Sequence, residues 1–333
     1  MPADRTEVTE VVTGLATFGA PDLGRALATP PAEFKGVGDV RWERLRTLAA
    51  EGRYRAEFAA AWANGTCFLA ARDGLRGRPP EVVEWKGPQR PPGVEPLPAD
   101  LRIDHVYLVS CKYNSRITLN VSPRSIFCPG SDGAGDWFGE VAPEATQALY
   151  ETVRFETGMV AALPDRAGSL SPAQRRQLAA ALGRGPWTSP AAAEHYATLS
   201  AAVATASARR WRERLRNERT REATLWRFLR VGAATYFVLG SDGTRMVRLR
   251  VGSPWDWRQS YRLRTFDVAP AATARQPQVD WTATIEDREA GENRVVEGHV
   301  EIRWSHGRFA SPPEAKVYLD TPHHQVPGYW PLT

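Results

Sequence analysis

Lysine is almost missing from this chain. Of its 43 basic residues only four are lysines (Lys35, Lys86, Lys112 and Lys316), which leaves thirty-nine arginines among 333 residues. Arginine therefore supplies the generic positive surface. The few lysines are then enriched where a guanidinium will not do, such as a compact ammonium approaching a phosphate. Cysteine is scarce as well: Cys67, Cys111 and Cys128 have no C-x-x-C spacing, which argues against a disulfide framework or structural zinc and for a reducing cytoplasm. The six histidines are scattered apart from His323–His324, too few for a zinc site on their own. No apolar run reaches the ~18 residues of a membrane span, and no membrane partner is expected. The opening "MPADRTEVTEVV" is acidic before it is apolar, unlike a secretory signal.

What is present suits a globular protein: 42% hydrophobic, 24% charged and a net charge of +5. That length supports one large domain or two ordinary ones. Residues 1–38 read as a lead-in. From Asp39, apolar residues Trp42, Leu45, Leu48, Phe58 and Trp62 fall at helical spacing, and "ANGT" is expected to stop the helix. Three strand-like runs follow, "CFLAA" (67–71), "EVVEW" (81–85) and "DHVYLVSCKY" (104–113). The proline-rich loop "KGPQRPPGVEPLPADLRI" joins the last two. After the Gly- and Pro-rich 127–139, helical patterns return, with Ser171 as a cap candidate, and continue to Arg230. Beyond Val231 the pattern is β-rich and begins with a hairpin turning at Asp-Gly. The expected segments are a core over 39–165, an arginine-rich helical part over 166–230 and a β-rich part over 231–333.

Helix, three strands, helix, together with acid-x-lysine steps, resembles the PD-(D/E)xK nuclease superfamily, over residues 40 to 160. The resemblance implies an α/β fold, a restriction-endonuclease-like mixed sheet flanked by helices. It also implies Mg²⁺ (or Mn²⁺) held by acids on the second and third strands, with a lysine two residues after the last acid orienting the attacking water. Such ions take hard oxygen ligands and leave positions for water and phosphate. Two registers compete. In one, Asp73 leads and "EWK" supplies Glu84 and Lys86; in the other, Glu84 leads and "SCK" supplies Ser110 and Lys112. The second fits the topology better but places a serine where the superfamily usually has an acid. Glu57, Glu144 or Glu151 could then bring the missing carboxylate. Asp104 shares a face with Ser110 and Lys112 but lies six strand steps, ~20 Å, from Lys112 unless the chain doubles back before His105. "EFK" (33–35) and "EAK" (314–316) show that such tripeptides also occur without chemistry, and the second reads as a strand start.

The stretch "ARRWRERLRNERTREATLWRFLR" crowds Arg209, Arg210, Arg212, Arg216 and Arg219 into helical sequence with few offsetting acids. That suits phosphate contact. Tryptophans such as those of "SPWDWRQSYR" could stack bases, although most tryptophans fill cores. The function these features imply is metal-dependent hydrolysis of DNA in restriction or phage defence. RNA is the second-choice substrate, and a homodimer or partner subunit is compatible. One alternative is a nucleic-acid-binding or assembly protein on a nuclease core that lost its last acid. Another is an unrelated site around "RWSHGRF", with Arg303, His306 and Arg308.

Overall fold

The computed structural model describes residues 2–87, 99–113, 117–128, 135–183, 185–187, 189–232, 234–241, 245–272 and 276–333. It is α/β, with eleven α-helices and two sheets, one mixed and one antiparallel, among the described residues. Most of the proline-rich 86–103 loop, the centre of the Gly- and Pro-rich 127–139 stretch and the Asp-Gly turn at 242–243 lie outside the described residues. Two compact units form, one from residues 1–115, 230–261 and 322–333, the other from 116–229 and 262–321. This departs from the linear segments expected from sequence, because strands far apart in the chain pair with one another.

The first unit opens with α1 (Pro2–Ala16), α2 (Leu23–Ala28), β1 (Phe34–Lys35), α3 (Asp39–Ala50) and α4 (Arg55–Ala70). Residues 1–38 are thus not a lead-in: Val8, Val11, Val12 and Leu15 recur at helical spacing, and all four are fully buried. The helix expected from Asp39 to Trp62 is instead two helices. Gly52 (φ 68) and Tyr54 (φ 54) adopt the left-handed conformation that ends one and starts the other. Nor is "CFLAA" a strand. Asn64 and Gly65 do not stop α4, because each is used within it. The Asn64 amide donates to the Gly240 carbonyl, and its oxygen accepts from Arg248. Gly65 lies so close to α1 that an added Cβ would come within 2.1 Å of the Thr13 carbonyl.

Next come β2 (Val83–Trp85), β3 (Leu101–Ile103) and β4 (Tyr107–Tyr113). Asp104 (φ 47) and His105 (φ 61), with Val106, form a three-residue turn between β3 and β4, so the "DHVYLVSCKY" run starts as a hairpin. The chain then builds most of the second unit: β5 (Ile117–Val121), α5 (Pro123–Phe127), α6 (Trp137–Val141), α7 (Pro143–Glu156), α8 (Pro172–Leu182), α9 (Pro190–Arg214) and α10 (Glu218–Phe228). It returns to the first unit for β6 (Tyr236–Ser241), β7 (Met246–Val251) and α11 (Pro254–Ser260). The remaining strands are β8 (Tyr261–Pro270), β9 (Gln278–Asp287), β10 (Glu292–Arg303), β11 (Glu314–Leu319) and β12 (Tyr329–Pro331).

The first sheet runs β1-β2-β3-β4-β6-β7-β12, with β1/β2 and β4/β6 parallel and the other neighbours antiparallel. Its alternation sends Val83, Trp85, Leu101, Ile103, Val109, Cys111, Phe237 and Leu239 into one core with α1 and α4. Phe68 of α4 seals it, edge-on to Tyr107 and Phe237 at 5.7 and 5.0 Å. Burying each such aromatic contributes about 2–3 kcal/mol. Glu84, Arg102, Ser110 and Lys112 therefore occupy the other face.

In the second unit the sheet order is β5-β11-β10-β9-β8. Helix α9 packs its Leu199, Val203, Ala204, Ala208 and Trp211 stripe into the core, where Phe127, Trp211, Phe228, Phe266 and Trp281 make ring contacts of 5.4–5.8 Å. Ser171 caps α8 in a full capping box with Gln174, as its sequence position predicts.

Candidate functional site

The hairpin places an unanticipated acid beside the "SCK" step. Because β3 doubles back on β4, the residue next to Ser110 and Cys111 is not Asp104 but Asp100, just before β3. Its Oδ2 accepts from the Cys111 amide at 2.5 Å and from the Ser110 hydroxyl at 3.3 Å. Asp100 and Ser110 are both buried, and Lys112 is half-buried. The Lys86 amide donates to the Asp100 carbonyl at 3.0 Å. Two of the four lysines thus belong to the backbone segments that frame this carboxylate. Across from Lys112, Gly240 of β6 lies so close that an added Cβ would meet the Lys112 carbonyl at 2.0 Å.

A second acid comes from α1. Glu10 is buried, and its Oε2 accepts from the Trp85 indole at 2.6 Å. The ring of Trp85 is covered by the Arg41 guanidinium at 5.0 Å. The Cys111 thiol records how the charges converge. Burial pushes its pKa well up, and the Asp100 and Glu10 carboxylates push it further, while the Thr13 hydroxyl and the Lys112 charge oppose them. Asp100 meets Ser110 and Cys111 directly, next to Lys112 and with Lys86 bonded to its carbonyl, while Glu10 approaches Cys111 from the α1 side of the sheet. Among the described residues, no group of three or more His, Cys, Asp and Glu side chains is arranged to hold a metal ion.

The other anticipated acids lie elsewhere. Glu84 takes Arg102 in a two-pronged ion pair, at 2.5 and 2.8 Å, with His105 Nδ1 at 3.3 Å. The Arg102 guanidinium, with smaller help from His105, holds its carboxyl below the usual range against the opposing effect of burial. Glu84 shares a face with Lys112, but it stands opposite Leu108 by way of Arg102. Two strands across and four residues along amount to ~10 Å by ~13 Å, too far to share an ion. Asp104 fastens the turn, its Oδ1 accepting from the Glu81 and Val82 amides. That turn is at the opposite end of β4 from Lys112. Asp73 follows α4 in a turn, where its carboxylate accepts from the Thr333 hydroxyl. Glu57 is buried in α4 and paired with Arg5 at 3.0 Å. The Asp73 register has no strand to stand on.

The arginine-rich helices divide by role. Arg210 is held by Glu140 at 2.5 Å and lies over the Trp137 ring, and Arg212 donates to the Val268 carbonyl. Arg209, Arg216 and Arg219 are exposed and have no side-chain partner among the described residues. In "SPWDWRQSYR", Trp257 is fully buried but Trp255 is 70% exposed.

Asp100 and Glu10 escape the sequence reading for different reasons. Asp100 looks like the tail of a proline-rich loop, ten residues ahead of Ser110. Glu10 lies in a segment that reads as a lead-in. The readable signal for Glu10 was the heptad-like valine stripe around it. No protein-family model, curated protein or solved structure matches this chain.

Proposed function

We propose that this chain is a Mg²⁺- or Mn²⁺-dependent nuclease of the PD-(D/E)xK type acting on DNA, in a cytoplasmic restriction or phage-defence setting. The observation that carries the proposal is the Asp100 carboxylate hydrogen-bonded to the Ser110–Cys111 step that delivers Lys112. The element order supports it too. With α2, β1, α3 and α4 inserted after α1, and β5 inserted with the helices between β4 and β6, helix α1, antiparallel β2, β3 and β4, helices and then β6 parallel to β4 match the superfamily's helix, three strands, helix, strand. Counted this way, Asp100 opens the second strand and Ser110–Lys112 lies on the third.

The donor set suits the ion. Asp100 offers a carboxylate oxygen beside Lys112, and Mg²⁺ commonly binds through one or two carboxylates, with water and phosphate completing its shell. When bound, the ion neutralises charge on the scissile phosphate and makes its water more acidic. The chain's own residues then have distinct tasks. The hydroxyl of Ser110 donates to Asp100 and fixes the direction of its carboxylate. The ammonium of Lys112 holds a phosphate oxygen or the attacking water. Arg209, Arg216 and Arg219 offer exposed guanidiniums for sequence-independent phosphate contacts.

The test is cleavage of supercoiled plasmid in Mg²⁺. Wild type is expected to nick or linearise it, while Asp100→Asn and Lys112→Ala bind DNA but lose cleavage by two orders of magnitude or more. Equal cleavage by all three proteins would refute the site. A second reading, a non-catalytic nucleic-acid-binding or assembly protein, is favoured by Ser110 standing at the place of the last acid. Under that reading the wild type binds DNA, takes up no Mn²⁺ and does not cut.

A further inference from the structure

The second unit contains a cavity of about 340 Å³ whose lining includes Asn120, His306, Ser311, Pro312, Pro313 and Glu314. That volume is at the small end for sites that hold a compact organic molecule. Its polar groups are set by strand register. Asn120 of β5 faces Lys316 of β11, and Glu314 lies two residues before Lys316 on the same side. His306 Nε2 is 3.4 Å from Glu314 Oε1, and the Glu314 side chain keeps 27% of its surface exposed. The hydroxyl of Ser311 is buried with no hydrogen-bond partner among the described residues. A buried hydroxyl without a partner is costly unless something else pairs with it.

Charge narrows the choice of ligand. Burial raises the pKa of Glu314, but the neighbouring polar groups of Ser305 and Asn120, with the charges of His306 and Lys316, more than offset this and keep it ionised. Since that negative charge already has His306 and Lys316 nearby, a cation would gain little. An anion would meet the carboxylate directly. A neutral molecule with adjacent N–H donors fits best: the carboxylate accepts from two donors at once, and the amide and imidazole, which face Glu314 in the empty cavity, turn to a neighbouring carbonyl as the ligand's N–H groups replace them. The flat Pro312–Pro313 edge offers an apolar surface for a ring.

We propose that this cavity is a nucleobase pocket selective for guanine. Glu314 accepts from the ring N–H and exocyclic amino group, Asn120 and His306 serve the carbonyl edge, and Ser311 gains its missing partner. The inference deepens the nucleic-acid reading above and rests on it for the class of ligand. Adenine presents a ring acceptor where guanine presents a donor, so it would set a lone pair against the carboxylate and be rejected.

Isothermal titration of the full chain with guanosine and with adenosine tests this, since nucleosides carry no phosphate for the arginines to attract. Guanosine is expected to bind about tenfold or more tightly than adenosine, the scale of one two-pronged base contact. Glu314→Gln and Asn120→Ala, the latter a change at an exposed strand residue, should each erase the preference. Lys112→Ala should retain it. Equal binding of the two nucleosides, no binding of either, or a preference unchanged in both variants would overturn the proposal. Guanosine selectivity in a protein that never cuts DNA would leave the pocket standing and remove the nuclease reading.

Discussion

Asp100 has two separable roles, and two substitutions pull them apart. Its Oδ2 accepts from a buried amide (Cys111) and a buried hydroxyl (Ser110). Asp100→Ala leaves both donors without that acceptor, at about 1–3 kcal/mol each. The first unit should lose roughly 2–6 kcal/mol, which lowers its melting midpoint by roughly 4–24 °C at ~2–4 °C per kcal/mol. Asp100→Asn keeps a carbonyl oxygen in place and removes only the charge. It should fold within about 1 kcal/mol of wild type and still fail to cleave. Without the Asp100 charge, the Cys111 thiol should also ionise more readily than in wild type, since that carboxylate is one of the groups pushing it up. Thermal melts followed by circular dichroism, beside plasmid cleavage in Mg²⁺, read both roles. An Asp100→Ala protein as stable as wild type would refute the structural role. An Asp100→Asn protein that cuts normally would refute the chemical one.

Further expectations concern the scaffold and the surface. Gly65→Ala should force α1 from α4, because the new methyl meets the Thr13 carbonyl at 2.1 Å. Urea titration should show a loss of about 2 kcal/mol or more, and unchanged stability would contradict the close crossing. Arg216→Ala with Arg219→Ala should weaken DNA binding in low salt and reduce the log–log salt slope by up to about 2. Arg210→Ala, which removes one of the two arginines paired with Glu140, should instead act chiefly on stability. An unchanged salt slope in the double variant would exclude those arginines as phosphate contacts. Glu84 has a depressed carboxyl pKa through Arg102. The sign is that of a group whose charge is favoured by folding: its stabilisation is present above the ordinary value of 4.5 and lost as pH falls through the lower folded value. Glu84→Gln should flatten acid unfolding in that window by under about 1 kcal/mol, because the pair is partly exposed. It should leave cleavage near wild type, and a cleavage-dead Glu84→Gln would restore Glu84 to the site.

The parts legible in the sequence are those fixed by local chemistry. Ser171 announces its helix because a serine followed three residues later by glutamine caps wherever it stands. Alternation in "DHVYLVSCKY" and in the strands after Val231 identifies strands, since a period of two has no other use. What misled was tertiary context. The "ANGT" segment reads as a helix stop, yet Gly65 is the contact point of two helices and Asn64 a buried linker to Gly240 and Arg248. Asp100 is close to Ser110 only through the Asp104–His105 turn, and both positive-φ residues there are non-glycine, so nothing ordinary in composition marks the reversal. Of the lysines, Lys86 meets Asp100 through its backbone amide and Lys112 follows the Ser110–Cys111 step that Asp100 holds, whereas Lys35 donates to the Ala32 carbonyl.

The most direct test is Mn²⁺ binding followed by titration calorimetry on wild type, Asp100→Asn and Glu84→Gln. One ion per chain in wild type and Glu84→Gln, with none in Asp100→Asn, is the predicted result. Binding retained in Asp100→Asn but lost in Glu84→Gln would contradict a metal centre at the β3–β4 corner.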